Sequence, residues 1–314
     1  MDFVQYKAGA DDDGRRLDRI VRRFLSHQTI SALYSALRKG FIRVNGRRAA
    51  TNERVRKGDV ISVAQFLIPQ QQKKSIKARE SFPYEIIFHN EHFLIINKPY
   101  DVAVHGKNSI AEAVAAYYNA HRENSSLSFL PGPLHRLDKK TTGVLFFSWS
   151  ITGARFFSRA LKEHALEKQY VALVHGIMPA PCIWKDFIKK TEATAAFHTV
   201  RVSSTAKLGS RLAQTRAHAI ASGMYEDAPV SLVNFTIATG RTHQIRAQSA
   251  FHGFPLLGDT AYGSPALYNN QKLFLHAQKI IIGENPVGLP HEIEAPLPNE
   301  FMQMNKKILL NGRK

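Results

Sequence analysis

The chain has 314 residues with 43 Lys or Arg against 25 Asp or Glu, and the resulting formal charge of +18 favours a polyanionic partner such as nucleic acid. An apolar fraction of 44% excludes general disorder, while the lack of a ~20-residue apolar run and an acidic N-terminus lead us to expect a cytoplasmic protein without membrane contact. The single cysteine, Cys182, excludes an internal disulfide and a cysteine-built zinc site.

The positive charge is concentrated near the N-terminus. Between residues 14 and 57, thirteen Lys or Arg are opposed only by Asp18 and Glu53. Apolar residues at 17, 20, 21 and 24 follow the spacing of one helix face, and arginines occupy the other faces. Such a helix could dock on phosphates. The arginines of this segment to which we assign RNA contact are Arg15, Arg19, Arg22, Arg23, Arg43 and Arg47.

A second helix is predicted from residue 30 to the basic turn Arg38-Lys39-Gly40. A short strand, an Asn45-Gly46 turn and a second strand at 60–63 follow. Through RLD (16–18), KGFIRVNG (39–46) and KGDVI (57–61), this order resembles the small S4-like RNA-binding domain. We place that domain at 14–68. The alternative is a solvated charged helical hairpin without a ligand.

Residues 69–81 are almost devoid of apolar side chains and predict an exposed linker. Beyond them, in a second domain at 82–314, strand-like runs occur at 93–96, 144–147, 170–174 and 233–237. Amphipathic segments at 109–120 and 155–161 predict helices. Since strands outnumber helices and few strand–helix–strand units are evident, we expect an α+β fold with a mixed, largely antiparallel sheet.

The segment HRLDKKTTG (135–143) lies between two of these strands and contains Asp138. This carboxylate could form a structural ion pair on a loop. It could also be a nucleophile or base in a positive cleft, where neighbouring arginines would keep it ionised. A single carboxylate does not suit the usual glycosidase, which needs two. It could act at a sugar anomeric carbon when the leaving group is retained.

Five stretches, in the same order, resemble the RluA-type pseudouridine synthases. They are FLIINKPYDVAVH (93–105), PLHRLDKKTTG (133–143), EKQYVALVHG (167–176), TGRTHQIRAQSAFHGFPLLGDTAYG (239–263) and LFLHA (273–277). With the S4-like segment, the resemblance covers nearly all of the chain from about residue 15 to residue 298. It departs from the family at the two lysines after the aspartate, which puts the identity of the substrate in doubt but not the chemistry.

The resemblance implies roles for individual residues. Asp138 would be the catalytic carboxylate, attacking C1′ of the target uridine or taking a proton from C2′. Tyr170 would lie against the base and assist proton removal from C5, and Arg246 would pair with Asp138. Arg136 would contact RNA and fill the gap left by the flipped nucleotide, and Leu275 would wall the uracil pocket. Because nothing is consumed, no cofactor or metal is expected.

His135 and Arg241 lie in the same motifs and are also assigned to RNA contact. A structural histidine remains the alternative for His135, because it lies beside a strand. We expect a monomer whose partner is structured RNA, either ribosomal RNA or an assembling ribosomal subunit. Two other functions compete: a non-catalytic RNA-binding or ribosome-assembly protein, and a hydrolase that releases uracil.

Overall fold

The computed structural model describes residues 1–68, 81–121, 126–179, 181–191, 199–225, 228–264 and 272–311. The helices are α1 Leu17–Phe24, α2 Ile30–Arg38, α3 Ile110–His121, α4 Ile151–Lys162, α5 Gln244–Phe251 and α6 Asn299–Asn311. The strands are β1 Phe3–Lys7, β2 Ile42–Val44, β3 Arg47–Arg48, β4 Val60–Ala64, β5 Ile86–His89, β6 Phe93–Lys98, β7 Thr142–Ser148, β8 Leu166–His175, β9 Cys182–Lys190, β10 Val200–Ser203, β11 Arg211–Tyr225, β12 Ala228–Ile237, β13 Leu275–Ile282 and β14 Glu292–Glu294. None of the helices in these ranges is long and apolar enough to cross a membrane.

The N-terminal unit packs α1 and α2 on a small sheet with the strand order β1-β4-β2-β3. The predicted apolar stripe of α1 is buried, with Leu17, Ile20 and Val21 each 0% exposed. The predicted hairpin turn is also confirmed. Asn45 and Gly46 have φ values of 49° and 77°, the pair of left-handed conformations that a two-residue type I′ turn requires.

The domain boundaries remain a prediction. Residues 69–80, which form nearly all of the predicted linker, lie outside the described residues. At the other end, β1 pairs with β4 from Phe3 to Lys7, so the first sheet includes a strand that precedes the predicted start at residue 14. The sequence alone did not indicate this strand.

A cluster of polar contacts joins the N-terminal unit to the second domain. Asp12 is 0% exposed and accepts hydrogen bonds from the Leu127 backbone N (2.8 Å) and the Ser128 hydroxyl (2.7 Å). The Arg15 guanidinium donates to the same hydroxyl at 2.6 Å, and the Arg23 guanidinium donates to the Ser128 carbonyl at 2.8 Å. Two of the arginines expected to contact RNA therefore hold the two domains together.

The second domain is built on one large sheet, confirming the predicted α+β fold. Among the described residues the strand order is β10-β9-β11-β12-β8-β13-β7-β6-β5, with β14 paired to β13. All pairings are antiparallel except that between β7 and β13. Strand β13, close to the end of the chain, thus lies in the middle of the sheet, between β8 and β7.

The parallel contact between β7 and β13 is short and very close. It pairs His276 with Thr142 and Ala277 with Gly143. A Cβ atom built on Gly143 would lie 2.1 Å from the Ala277 carbonyl oxygen, and the φ of this glycine is +111°. Only glycine fits this contact, because any side chain would push the two strands apart.

Candidate active site

A pocket is lined by residues of β8, β12, β13 and α5, by the turn before α5 and by the loop before β7, which come from distant parts of the sequence. Its volume is about 380 Å³ and it opens to solvent. Its lining residues include those for which the sequence predicts a role in chemistry or in binding the uridine. They are Arg136, Asp138, Tyr170, Arg241, Arg246 and Leu275, together with Leu137, Thr141, Ile237, His243, Gln244 and Ile245.

One guanidinium connects two carboxylates in this pocket. Arg246, on α5, donates from Nη1 to Oδ2 of Asp138 at 3.1 Å. Its Nε and Nη2 donate to the two carboxylate oxygens of Asp259 at 2.7 and 2.8 Å. Burial works against the charged guanidinium, but the hydrogen bonds and negative charges of Asp259 and Asp138 outweigh it and raise the pKa of Arg246. Arg246 is thus a fixed positive charge beside Asp138.

A histidine and a second tyrosine complete this cluster. The Tyr262 ring lies 5.1 Å from the Arg246 guanidinium, and its hydroxyl lies 3.0 Å from Nδ1 of His243. Nε2 of His243 is 3.7 Å from the Asp138 carboxylate. Burial lowers the pKa of His243 despite the opposing charge of Asp138, so the ring is neutral at pH 7. Asp138 therefore has one permanent cationic neighbour, Arg246, and one neutral imidazole.

Tyr170 forms the buried wall of the pocket and is 8% exposed. Burial, and secondly the negative charge of Asp138, raise the pKa of its hydroxyl. The phenol therefore keeps its proton at neutral pH. A flat aromatic ring with a protonated hydroxyl is what this wall presents to a planar base.

A buried lysine supports the loop that carries Asp138. Lys98 is 0% exposed, and its Nζ donates to the carbonyl oxygens of Pro99 (2.9 Å), Lys139 (2.8 Å) and Thr141 (2.8 Å). Burial lowers the pKa of Lys98 to about 8, with the charges of Asp138 and Asp101 opposing this shift. The motif containing Lys98 was recognised in the sequence, but no role followed from it. The signal was a lone lysine at the end of a continuous apolar strand.

His135 makes the contacts of a structural histidine. Its Nε2 accepts a hydrogen bond from the Phe146 backbone N at 3.2 Å, and its ring stacks on Phe157 with a centroid distance of 5.9 Å. Burial, and secondly the charge of Lys168, lower the pKa of His135 to about 3, so this ring is neutral. Its contact with RNA remains a prediction.

The arginines assigned to RNA contact differ in their surroundings. Arg19 and Arg22 are exposed on α1, and Arg136 is exposed at the rim of the pocket. Arg43 donates to the Gly40 carbonyl at 3.0 Å, and Arg47 is paired with Glu53 at 2.6 Å. Arg23 and Arg47 are exposed as well, but their guanidinium groups, like those of Arg15 and Arg43, bond to protein atoms. Within the described ranges the guanidinium groups of Arg19 and Arg22 have no such bond, so they are free to meet RNA.

No group of three or more His, Cys, Asp or Glu side chains that could hold a metal ion occurs in the part of the chain that the structure describes. The residues that surround the pocket instead offer one carboxylate to a reacting atom, a fixed guanidinium beside it and an apolar wall. This set can hold a ligand against an aromatic and apolar wall and present a carboxylate to it.

Comparison with known proteins connects this site to a known chemistry. Residues 92–251 match the family described as RNA pseudouridylate synthase, and residues 15–61 match the S4 domain. A ribosomal large subunit pseudouridine synthase C from Pasteurella multocida is 30% identical, over 95% of this chain and 90% of its own length. The protein of the same name from Escherichia coli K12 is 28% identical, over 95% and 94%.

A solved human structure, RNA pseudouridylate synthase domain containing 1, aligns with a TM-score of 0.57 and 25% identity, over 69% of this chain and 84% of that one. The sequence match contains Asp138, Tyr170 and Arg246, three of the residues that the fold brings together in the pocket. The chain therefore belongs to the RNA pseudouridylate synthase family, isomerases that act on RNA, and has an S4 domain near its N-terminus.

Proposed function

We propose that this isomerase converts specific uridines of large-subunit ribosomal RNA to pseudouridine, with Asp138 as its catalytic carboxylate. The pairing of Asp138 with Arg246 in the pocket bounded by Tyr170 and Leu275 is the observation that carries the assignment of the chemistry. The names of the bacterial relatives support the choice of RNA.

The reaction needs a carboxylate held beside the ribose. Arg246 supplies a permanent positive charge 3.1 Å from Asp138. The carboxylate then attacks C1′ or removes the proton from C2′, and in either case the bond between C1′ and N1 of uracil breaks. The uracil turns in the pocket, and C5 bonds to C1′ while the bond between C1′ and the carboxylate breaks or, on the C2′ route, while the carboxylate returns its proton to C2′. C5 then loses its proton and N1 gains one. The product has the same atoms as the substrate.

An enzyme that acts on the ribose and base of a nucleotide in an RNA helix must first turn that nucleotide out of the stack. Arg136 stands exposed at the rim and is positioned to fill the gap. A broad groove of about 1,840 Å³ leads away from Asp138 and carries the side chains of Lys139, Lys140 and Lys190. These lysines would neutralise phosphates of the RNA on one side of the target.

The S4 domain adds a second RNA contact, through Arg19 and Arg22 on the exposed face of α1. The form of the substrate, free RNA or an assembling subunit, remains a prediction. The monomeric state and the cytoplasmic location of the enzyme remain predictions as well. A ribosome-assembly protein that does not use Asp138 for chemistry is the competing function.

The decisive experiment maps pseudouridine across total RNA from cells that lack the protein. We expect one or more positions in large-subunit ribosomal RNA to lose the modification and to regain it when the wild-type gene is restored. Restoration of a gene encoding Asp138→Asn should leave those positions unmodified. Loss of modification only in transfer RNA would overturn the proposed substrate. Restoration of modification by Asp138→Asn would overturn the proposed role of the carboxylate.

A further inference from the structure

Lys168 lies close to the pocket, and the isomerisation proposed for Asp138 does not use it. It precedes Tyr170 by two residues on β8, so the two side chains lie on the same face of the sheet. The residue is 9% exposed. Among the described residues, none forms a hydrogen bond or an ion pair with its Nζ.

Lys168 lines a second groove, which meets the groove of Lys139 and Lys140 at Asp138. This second groove has a volume of about 1,180 Å³ and shares Asp138, Tyr170 and Arg241 with the pocket. Apart from Asp138, its described lining contains no carboxylate. It is therefore a concave, cationic surface directly beside the reacting carboxylate.

Arg241 lines this groove together with Lys168 and Arg136. Its Nε donates to the Leu212 carbonyl at 2.9 Å, which fixes the plane of the guanidinium. Its two terminal NH₂ groups make no hydrogen bond within the described ranges, so they remain able to bind an anion. Lys168 and Arg241 line the same groove, and burial, and secondly the charge of Arg241, lower the pKa of Lys168.

Lys168 and Arg241 both line this groove, and within the described ranges the Lys168 Nζ and the terminal Arg241 nitrogens have no protein partner. A concave surface with such free cationic donors attracts an anion. The anion that the enzyme meets at this place is its own substrate. We propose that Lys168 and Arg241 form a binding subsite for one backbone phosphate of the RNA strand, adjacent to the uridine that enters the pocket. This proposal rests on the proposed action on RNA, but not on which RNA is modified.

The consequence for binding is a fixed path for the strand. One flank of the target uridine would lie in the groove of Lys139, Lys140 and Lys190, and the other flank would be held at Lys168 and Arg241. The exposed lysines can follow a mobile backbone, whereas the buried subsite holds one phosphate at a defined distance from Asp138. Such a contact sets the position of the ribose relative to the carboxylate.

The test uses the full-length enzyme and a short RNA that contains a target uridine found by the mapping experiment. One phosphate at a time, on either side of the uridine, is replaced by an uncharged methylphosphonate. For the wild type, one position should weaken binding about tenfold. Lys168→Met should bind the RNA that carries no methylphosphonate about tenfold more weakly than the wild type does. Its affinity should not fall further when a methylphosphonate is placed at that same position. Lys168→Arg should recover part of the affinity and of the sensitivity.

Lys306→Met, which removes a charge from an exposed position on α6, is the matched control and should behave as the wild type. Lys168→Met should not lower the thermal unfolding temperature, because within the described ranges Nζ forms no hydrogen bond or ion pair that the substitution would remove, and the methionine side chain has a similar length. If every methylphosphonate has the same effect on the wild type and on Lys168→Met, Lys168 does not contact a phosphate and the proposal is wrong.

A lower unfolding temperature of Lys168→Met without any change in methylphosphonate sensitivity would show a structural role and overturn the proposal as well.

The proposed substrate is tested separately. Because the mapping covers total RNA, a target outside the large ribosomal subunit would contradict the proposed substrate and would still supply the oligonucleotide for this test.

Discussion

Two carboxylates share Arg246, but they do so unequally. Asp259 is 2% exposed and receives two hydrogen bonds from the guanidinium, while the more accessible Asp138 receives one. Most of the positive charge is thus balanced by Asp259, whose main effect is to fix the orientation of Arg246. Asp138 is oriented by one hydrogen bond from Arg246 and stays more accessible than Asp259, which suits a group that must react.

The first prediction concerns that carboxylate. Asp138→Asn preserves the size of the side chain and removes its charge and nucleophilic oxygen. We expect the single-turnover rate of pseudouridine formation to fall at least about 10³-fold while the affinity for RNA changes little, as for other nucleophile replacements. The measurements are the rate of pseudouridine formation in a short target RNA and the Kd by filter binding.

Asp2→Asn, which removes the same charge from an exposed position, is the control and should keep the full rate. A measurable fraction of the wild-type rate in Asp138→Asn, in a preparation free of wild-type enzyme, would contradict the role of Asp138.

Tyr170→Phe tests the pocket wall. The variant keeps the ring but loses the hydroxyl, whose proton is retained at neutral pH because burial raises its pKa. We expect RNA affinity within about twofold of the wild type and a turnover rate reduced by about 10²-fold, the usual effect of removing a group that transfers a proton. Equal turnover rates of the two proteins would leave Tyr170 with a stacking role alone.

The sequence could indicate Asp138, Tyr170 and Arg246 because they lie in recognisable motifs. It could not indicate Lys98 or Lys168 as buried residues, since lysine is among the side chains least often found inside a protein. Their burial depends on carbonyl groups and strands that are distant in the chain. The sequence could not indicate the pairing of Asp259 with Arg246 either.

At the scale of elements, the periodicity of apolar residues predicted α1, α2, β6, β7 and β8, and the structure confirms them. The periodicity of apolar residues did not predict α5, because the buried face of this helix is formed largely by polar residues. Gln244, Gln248 and Ser249 are buried there, and the two glutamines bond to neighbouring strands. A helix that buries amides leaves no apolar stripe in the sequence.

The parallel contact of β7 with β13 gives the protein a dependence on pH. His276 is 0% exposed, with Nδ1 2.7 Å from the Thr142 hydroxyl and Nε2 3.2 Å from the Ala295 carbonyl. Burial lowers the pKa of His276 to about 4, although the Ala295 carbonyl opposes this. In the unfolded chain the pKa is ~6.5. Between these values only the unfolded state binds the proton, so the free energy of unfolding falls as the pH falls from ~6.5 to about 4.

From this shift we expect the wild type to lose about 2 kcal/mol of unfolding free energy through His276 between pH 7.5 and pH 5. His276→Gln should be less stable at pH 7.5, since it loses part of the hydrogen bonding with Thr142, and its stability should depend less on pH. His135 is also neutral, because burial lowers its pKa, and it is present in both proteins. Its contribution to the pH dependence is therefore the same in the wild type and in the variant. Urea unfolding at the two pH values measures both quantities, and an unchanged difference between them would exclude His276 as its source.

At the scale of the whole molecule, the basic N-terminal unit is attached to the second domain rather than merely tethered to it. Asp12, Arg15 and Arg23 all contact Ser128. The charge pattern of the sequence predicted a uniform surface for phosphate. It could not show that part of this surface would face another domain, because Ser128 lies more than 100 residues away in the chain.

The remaining exposed arginines give a prediction for the full-length protein. Replacing Arg19 and Arg22 together by Gln should weaken binding to RNA and reduce the slope of log Kd against log[salt] by about 0.7 for each phosphate that the variant no longer neutralises. The measurement is a salt series of RNA affinity. Isomerisation at saturating RNA and low salt should persist, since neither residue lines the pocket.

The matched control replaces Arg155 and Arg159, two exposed arginines one turn apart on α4 of the second domain, by Gln. If this control and the α1 double variant have the same salt slope, the arginines of α1 do not bind RNA and are only a solvated surface.

The central position of β13 also determines when the enzyme becomes active during its synthesis. Until residues 275–282 leave the ribosome, β5–β7 and β8–β12 are two separate half-sheets, each with an unpaired edge at the place that β13 will occupy. Unpaired edges invite association with other chains. The small N-terminal sheet, in contrast, is complete once residue 64 has emerged. The growing chain therefore acquires its RNA-binding unit long before Asp138 and Tyr170 meet, and it can hold an RNA that it is not yet able to modify.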